Sequence, residues 1–298
     1  MDTRRALIVD AFTTDALTGN AAGLVPDADG LDADQMQAVA RELHASETAF
    51  LTDSEEADRR IRYFTPETEV DLCGHATIAS HAFLHQAEAI DAGTHTLSTN
   101  VGVLDVEVAA DGSVWMTQAP PEAHDVDVSY EEVAAAVGVD LDALTDLEAD
   151  LPLGWASTGL GFLCVPVTYL DELGGADPDM AAVEALCEEV DATGVYAFTF
   201  DTIDPDATLH GRMFAPGAGV PEDPCTGTAS GAVTAYLRAH DALDSYADLV
   251  YEQGHFLDRP GRIRVRAAEE IRVGGRAVVS LDGELAIPDA DDEDIVVA

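Results

Sequence analysis

The sequence predicts an α+β protein of two similar halves, each a mostly antiparallel, barrel-like sheet around one central helix. Three observations predict it. Residues 74–84 and 227–237 spell nearly the same helix opening, with Gly, Ala, Thr or Ser, Ala, Ala, Phe or Tyr and Leu at matched positions. Each is preceded by an aromatic turn, Phe64-Thr65-Pro66 in one half and Phe214-Ala215-Pro216 in the other. The runs in each half follow the order strands, one glycine-led helix, more strands, which lacks the regular alternation of a doubly wound parallel sheet. Both glycine-led helices are rich in small residues, so sheet can pack closely around them.

Taken in order, residues 6–12 form an apolar run bounded by turn residues and read as a first strand. A helix-like run at 34–43 passes into a strand at 47–51, and 60–64 alternates as another. Residues 65–73 are polar and lead into the first glycine-led helix. Strands at 102–109 and 113–118 flank Asp111-Gly112, a hairpin signal. Ala119-Pro120-Pro121 interrupts regular structure. Beyond it, 129–137 reads as a helix capped by Ser129 with acids in its first turn. Residues 139–153 read as a short helix and loop, and 155–161 lead into a strand at 162–166. A helix at 179–189 and strands at 195–200 and 208–214 precede the second glycine-led helix. The tail reads as strands at 249–253, 263–267, 277–281 and 283–288, with Gly217-Ala218-Gly219 and Gly274-Gly275 as turns rather than phosphate loops. This places one domain at 1–120 and a second at 121–283, with a final strand at about 284–298 returning to the first.

The 298 residues suffice for two cores of ordinary size. The charge is unusual. Fifty-eight acids face 14 basic residues, all of them arginine, for a net charge of −44. The acids are spread along the chain in an otherwise normal apolar background, a pattern of salt adaptation rather than disorder. Such a charge argues against nucleic acid and anionic membranes as partners. No apolar run approaches the roughly 20 residues of a membrane span. Cys73, Cys164, Cys187 and Cys225 show no metal-like spacing, so free thiols and a cytoplasmic location are expected. Cys164 and Cys187 lie in apolar patterns and read as core. His81 and His85 are four apart on the first glycine-led helix but lack a third ligand, and read as an ordinary helix face.

Three segments carry chemistry. Glu47 sits where a helix-like run meets an apolar strand, in Ser46-Glu47-Thr48; alone it reads as one more surface acid. Asp71-Leu72-Cys73-Gly74-His75-Ala76-Thr77 reads alone as an acid and a histidine at a helix start. Glu222-Asp223-Pro224-Cys225-Thr226-Gly227-Thr228 reads alone as an acidic turn fixed by proline. Two glycine-led helix N-termini offer backbone N–H groups suited to a small carboxylate.

Together these segments resemble the phenazine-biosynthesis PhzF-like isomerases, within the diaminopimelate epimerase and proline racemase fold group. Further matching stretches are Asp10-Ala11-Phe12, Gly19-Asn20, Ser157-Thr158-Gly159, Arg212-Met213-Phe214-Ala215-Pro216, Gln253-Gly254 and Arg259-Pro260. They run in order through nearly the whole chain. One departure is Ala21, where the family usually has proline after Gly-Asn; it touches a loop rather than the chemistry. The resemblance implies two barrel-and-helix domains with the site between them, a homodimer, and an isomerase with no metal and no cofactor. It implies that Glu47 moves a proton on a small carbocyclic acid, assisted by His75 and Asp223. Ser46, Cys73, Gly74, Gly227 and Thr228 are expected to line the substrate. Burial of Glu47 would favour proton abstraction from carbon.

Two rival readings are a two-thiol racemase or epimerase of the same fold and a small-molecule binding protein without catalysis. Aligning Gly74 with Gly227 sets Cys73 opposite Thr226 and Cys225 opposite Leu72, one residue out of register. That offset disfavours a symmetric thiol pair.

Overall fold

The computed structural model describes residues 2–147 and 150–289. Within it the chain forms two compact units: Met1–Leu17, Ala21–Val114 and Arg276–Ala298 make the first, and Thr18–Asn20 with Trp115–Gly275 the second. Among the described residues no helix is long and apolar enough to cross a membrane.

The first unit holds β1 (Asp2–Ala11), β2 (Asn20–Val25), α1 (Ala33–Leu43), β3 (Glu47–Thr52), β4 (Arg59–Phe64), β5 (Glu69–Val70), α2 (Gly74–Gln86), β6 (Gly93–Thr99) and β7 (Gly102–Val108). The second holds β8 (Val114–Thr117, from Trp115 on), β9 (Glu122–Asp125), α3 (Tyr130–Val137), α4 (Asp142–Thr145), β10 (Gly154–Ser157), β11 (Gly161–Pro166), α5 (Leu170–Gly175), α6 (Met180–Glu189), β12 (Gly194–Thr199), β13 (Leu209–Ala215), β14 (Val220–Asp223), α7 (Gly227–Ala239), β15 (Leu249–Gln253), β16 (Gly261–Ala267) and β17 (Ile271–Gly275). The last strand, β18 (Ala277–Ile287), lies antiparallel on β1 in the first unit. Residues 290–298 of the expected return strand lie outside the described residues.

The sheets are mixed. Most pairs are antiparallel, but β2 runs parallel to β3, β4 to β6, β11 to β12 and β13 to β15. Each parallel pair is bridged by helix: α1, α2, α5 with α6, and α7 in turn. A parallel pairing needs such a crossover. This qualifies the expectation of strands that do not alternate with helices. β2 and β11 are short apolar strands without period-2 patterning, as fits strands covered on both faces.

Two other expectations need correcting. Gly274-Gly275 is not a turn; both close β17, where Gly274 pairs with Arg264. The strands expected at 277–281 and 283–288 are one, with Gly283 opposite Ala6 and a bulge between Ile8 and Val9 on the partner. Backbone pairing carries the strand through glycine at both places.

Both glycine-led helices are buried around their whole circumference. Residues 76–84 of α2 and 229–237 of α7 are all buried. In the first unit α2 packs on β1, β3, β7 and β18; in the second α7 packs on β9, β10, β11, β16 and β17. Alanine, serine and threonine allow that close approach. The hydroxyls of Thr77, Ser80, Ser230 and Thr234 donate to carbonyls one turn back, so none is buried unpaired.

Arg212 ties the second unit together. Its guanidinium, 7% exposed, donates to both oxygens of Glu222 at 2.9 and 2.8 Å and to the carbonyls of Leu173 and Ala176. The matched Arg212 and Glu222 are therefore a structural pair.

His81 sets a pH dependence. Its Nδ1 donates to the Thr77 carbonyl at 3.0 Å, and burial lowers its pKa from 6.5 to about 4. Between those values the unfolded chain takes up a proton that the folded chain refuses. The stability is thus complete above pH 6.5 and declines as pH falls toward 4, by about 3 kcal/mol in all. His81→Gln keeps a donor and removes the titration. We expect its urea midpoint to be less sensitive than the parent's between pH 7 and 4.5; parallel curves for the two proteins would refute this account.

Candidate active site

In the first unit, α1 ends on His44, whose left-handed backbone (φ 52°) turns the chain into β3. This sets Ser46 just before the strand and Glu47 at its first position, paired with Ala22 of β2. At the start of α2, Cys73 is the N-cap, and its side chain makes no capping hydrogen bond. His75 lies in the first turn. Its Nε2 is 3.4 Å from Glu47 Oε2 and 3.4 Å from Ser46 Oγ, while Nδ1 is 3.4 Å from Cys73 Sγ. The His75 and Glu47 side chains are 11% and 22% exposed, within reach of a solute but largely withdrawn from water.

These contacts gather a thiol, an imidazole and a carboxylate, with Cys73 Sγ beside the ring and 4.0 Å from Nε2 as well. A neutral imidazole has one N–H and one lone pair. With the proton on Nε2 it donates to Glu47 and accepts from the Cys73 thiol; the other tautomer reverses both roles. The imidazole can therefore exchange a proton with the carboxylate beside it, across a long 3.4 Å contact.

Gly74 has no packing reason to be glycine. A Cβ there would meet nothing within 4 Å, and its φ lies outside the left-handed region. Its missing side chain leaves open space at a positively polarised helix N-terminus.

The second unit builds a different arrangement before α7. Asp223 ends β14, and its carboxylate accepts from Asn20 Nδ2 at 2.9 Å and from the Thr226 hydroxyl. Asn20 also donates to the Cys225 carbonyl at 2.9 Å. Gln253 Nε2 donates to the Asp223 carbonyl at 2.7 Å and to Thr226 Oγ1 at 3.1 Å, and its Oε1 accepts from the Thr226 amide at 3.1 Å. Arg259 donates to the carbonyls of Thr18 and Gly19 at 3.0 and 2.9 Å, which holds Asn20 in place. Gly254 (φ 84°) permits the close turn, since a Cβ would lie 2.6 Å from the Pro224 carbonyl. Gly227 opens α7, and the Thr228 carbonyl accepts from Thr158 Oγ1 at 3.3 Å. The Thr226 side chain makes no capping hydrogen bond to α7.

The structure thus brings Ser46, Glu47, Cys73, Gly74 and His75 together in the first unit, and Asp223, Gly227 and Thr228 in the second. Sequence reasoning assigned no role to Asn20, Gln253 or Arg259. They fall in the matched stretches Gly19-Asn20, Gln253-Gly254 and Arg259-Pro260, and that was their only signal. Cys225 is fully buried. Burial first, and then the nearby Asp223 carboxylate, pushes its thiol well above the ordinary range.

Comparison with known proteins gives a consistent result. The sequence model of the phenazine biosynthesis-like proteins matches residues 9–283. An uncharacterized isomerase of Bacillus subtilis is 34% identical over 288 residues, covering 95% of this chain and 96% of the relative. The crystal structure of a PhzF-family phenazine biosynthesis protein of Bacillus anthracis superposes with a TM-score of 0.88 at 34% identity, over 96% of this chain and all of that one. A hydroxyproline epimerase from Agrobacterium vitis, with trans-4-hydroxy-L-proline bound, shares the fold at a TM-score of 0.61 and 16% identity, over 96% and 93% of the two chains.

Proposed function

This chain belongs to the phenazine biosynthesis-like protein family, and from that membership and the geometry of its first unit we propose that it is a cofactor-independent isomerase that shifts a proton on a small carboxylic acid. The observation that carries the reading is the Glu47–His75 pair, 3.4 Å apart beside the uncapped N-terminus of α2. Glu47 removes a proton from carbon. The first-turn N–H groups at Gly74 and His75 hold the substrate carboxylate and stabilise the enolate-like charge that develops. His75, linked to both Glu47 and Cys73, returns the proton to a second carbon. Ser46 Oγ steadies the imidazole.

We assign Asp223, Gly227 and Thr228 to substrate contact as well. Support for Asp223 comes from the donors arrayed on it. Asn20 and Thr226 fix its carboxylate as an acceptor for a substrate hydroxyl or amine. We also infer that the two units descend from one duplicated frame. Each carries a parallel pair across a lateral helix, then a second across a buried glycine-led helix. The chemistry is no longer duplicated, because the place of the Glu47–His75 pair has no counterpart among the residues before α7. Burial of Cys225 weighs against the two-thiol reading, since its thiol would have to ionise in an apolar setting.

The test is exchange with solvent. Cyclohexadiene carboxylic acids and related unsaturated acids are incubated with enzyme in deuterium oxide, and the carbon-bound hydrogens are followed by NMR. We expect one deuterium to enter at the carbon that receives the shifted proton. Binding of such acids with no exchange in any of them would instead mark a binding protein.

A further inference from the structure

We propose that Glu47, Cys73 and His75 form a capture site for a soft divalent cation such as zinc. One donor atom from each residue, a carboxylate oxygen, Sγ and a ring nitrogen, lies within 4.8 Å of the other two. Oxygen, nitrogen and sulfur donors in one cluster suit zinc rather than magnesium or calcium, which take oxygen.

Two of the three donors already have the spacing zinc requires. With Zn–S near 2.3 Å and Zn–N and Zn–O near 2.0–2.2 Å, a tetrahedral ion holds neighbouring donors about 3.3–3.6 Å apart. His75 Nε2 and Glu47 Oε2 are 3.4 Å apart, already at that value. Cys73 Sγ is 3.4 Å from Nδ1 and 4.0 Å from Nε2, beside the ring rather than beyond Nε2, so the thiol must change side-chain rotamer to share an ion held on Nε2. The fourth position is left for water or for Ser46 Oγ, itself 3.4 Å from Nε2. A carboxylate and a thiolate together neutralise a divalent charge, and loss of the thiol proton makes capture stronger as pH rises.

Cation capture does not depend on the proposed isomerisation; only its consequence does. An ion on these donors takes the lone pairs that Glu47 and His75 use as bases, so it turns the isomerase off reversibly.

Cobalt(II) is the probe, because a thiolate ligand gives a charge-transfer band that carboxylates alone do not. The full chain is titrated in concentrated sodium chloride with excess magnesium to occupy its many surface carboxylates. We expect one saturable equivalent with thiolate charge transfer, displaced by zinc and tighter at higher pH. Cys73→Ser should abolish the band, His75→Gln and Glu47→Gln should weaken binding about tenfold or more, and Cys187→Ser should retain the signal. Melting curves identify any variant that fails to fold, and the remaining variants carry the result. Non-saturating binding that is equal in the parent and Cys73→Ser overturns the proposal. Zinc inhibition of deuterium exchange, reversed by a chelator, then tests the consequence. A saturable cobalt site in a chain with no exchange would sink the isomerase reading and leave the cation site standing.

Discussion

Glu47→Gln is expected to lower turnover and solvent exchange by roughly 10²–10⁴-fold, the usual contribution of a general base, while leaving the fold intact. The substitution keeps the shape of the side chain and removes its basicity. Glu47 opens β3 with its side chain 22% exposed, and its ion contact is the loose 3.4 Å approach to His75. A partly exposed side chain without a buried ion pair costs only a few tenths of a kcal/mol to change. Melting temperature should therefore barely move as activity collapses. His75→Gln should act in the same direction, because it removes the group proposed to return the proton to the second carbon. Cys73→Ala should cost far less than Glu47→Gln. The opposite ranking, with Cys73→Ala inactive and Glu47→Gln close to the parent, would falsify the carboxylate-base mechanism and favour thiol chemistry.

That ranking depends on a geometry only partly legible in the sequence. The two glycine-led helices could be read because a buried helix needs small residues on every side, and few other structures ask for that pattern. α3 could be read because Ser129 caps it, accepting from the Glu132 amide at 3.3 Å. β6 (GTHTLST) could not, since its Thr and Ser residues lack an apolar alternation and its register comes from pairing with β7. β17 was hidden by Gly274 and Gly275, which a local reading treats as punctuation. In the site, Glu47 and His75 were identifiable as chemical types, and the resemblance assigned their roles. Their contact, and that of His75 with Cys73, depends on where β3 and α2 begin in space. Asn20 was the least visible of all. It meets Asp223 across 203 positions of sequence, and no local pattern marks an asparagine for that task.

The charge, by contrast, is fully legible, and it implies a large dependence of stability on salt. Pairing every one of the 14 arginines with an acid would still leave 44 carboxylates without a cation. Two such charges 10 Å apart repel by about 0.4 kcal/mol in water, and a few tens of such pairs approach the roughly 5–15 kcal/mol that holds an ordinary domain together. The expanded chain relieves much of this, so the repulsion bears mainly on the folded state. Salt shortens its range from about 10 Å at 0.1 M to about 3 Å at 1 M. If screening recovers about 5 kcal/mol, the melting temperature should rise by roughly 10–20 °C between those concentrations. Most of the rise should come below 1 M, where the screening length changes fastest in absolute terms. Sucrose at matched osmolarity should give only a small part of it, because it strengthens burial without screening charge. A melting temperature that climbs equally with sucrose and with sodium chloride would refer the effect to exclusion from the surface and remove repulsion as its cause. Substituting surface acids by their amides, away from Glu47 and Asp223, offers an independent check. Each replacement should raise the melting temperature at low salt and lose that effect in concentrated salt.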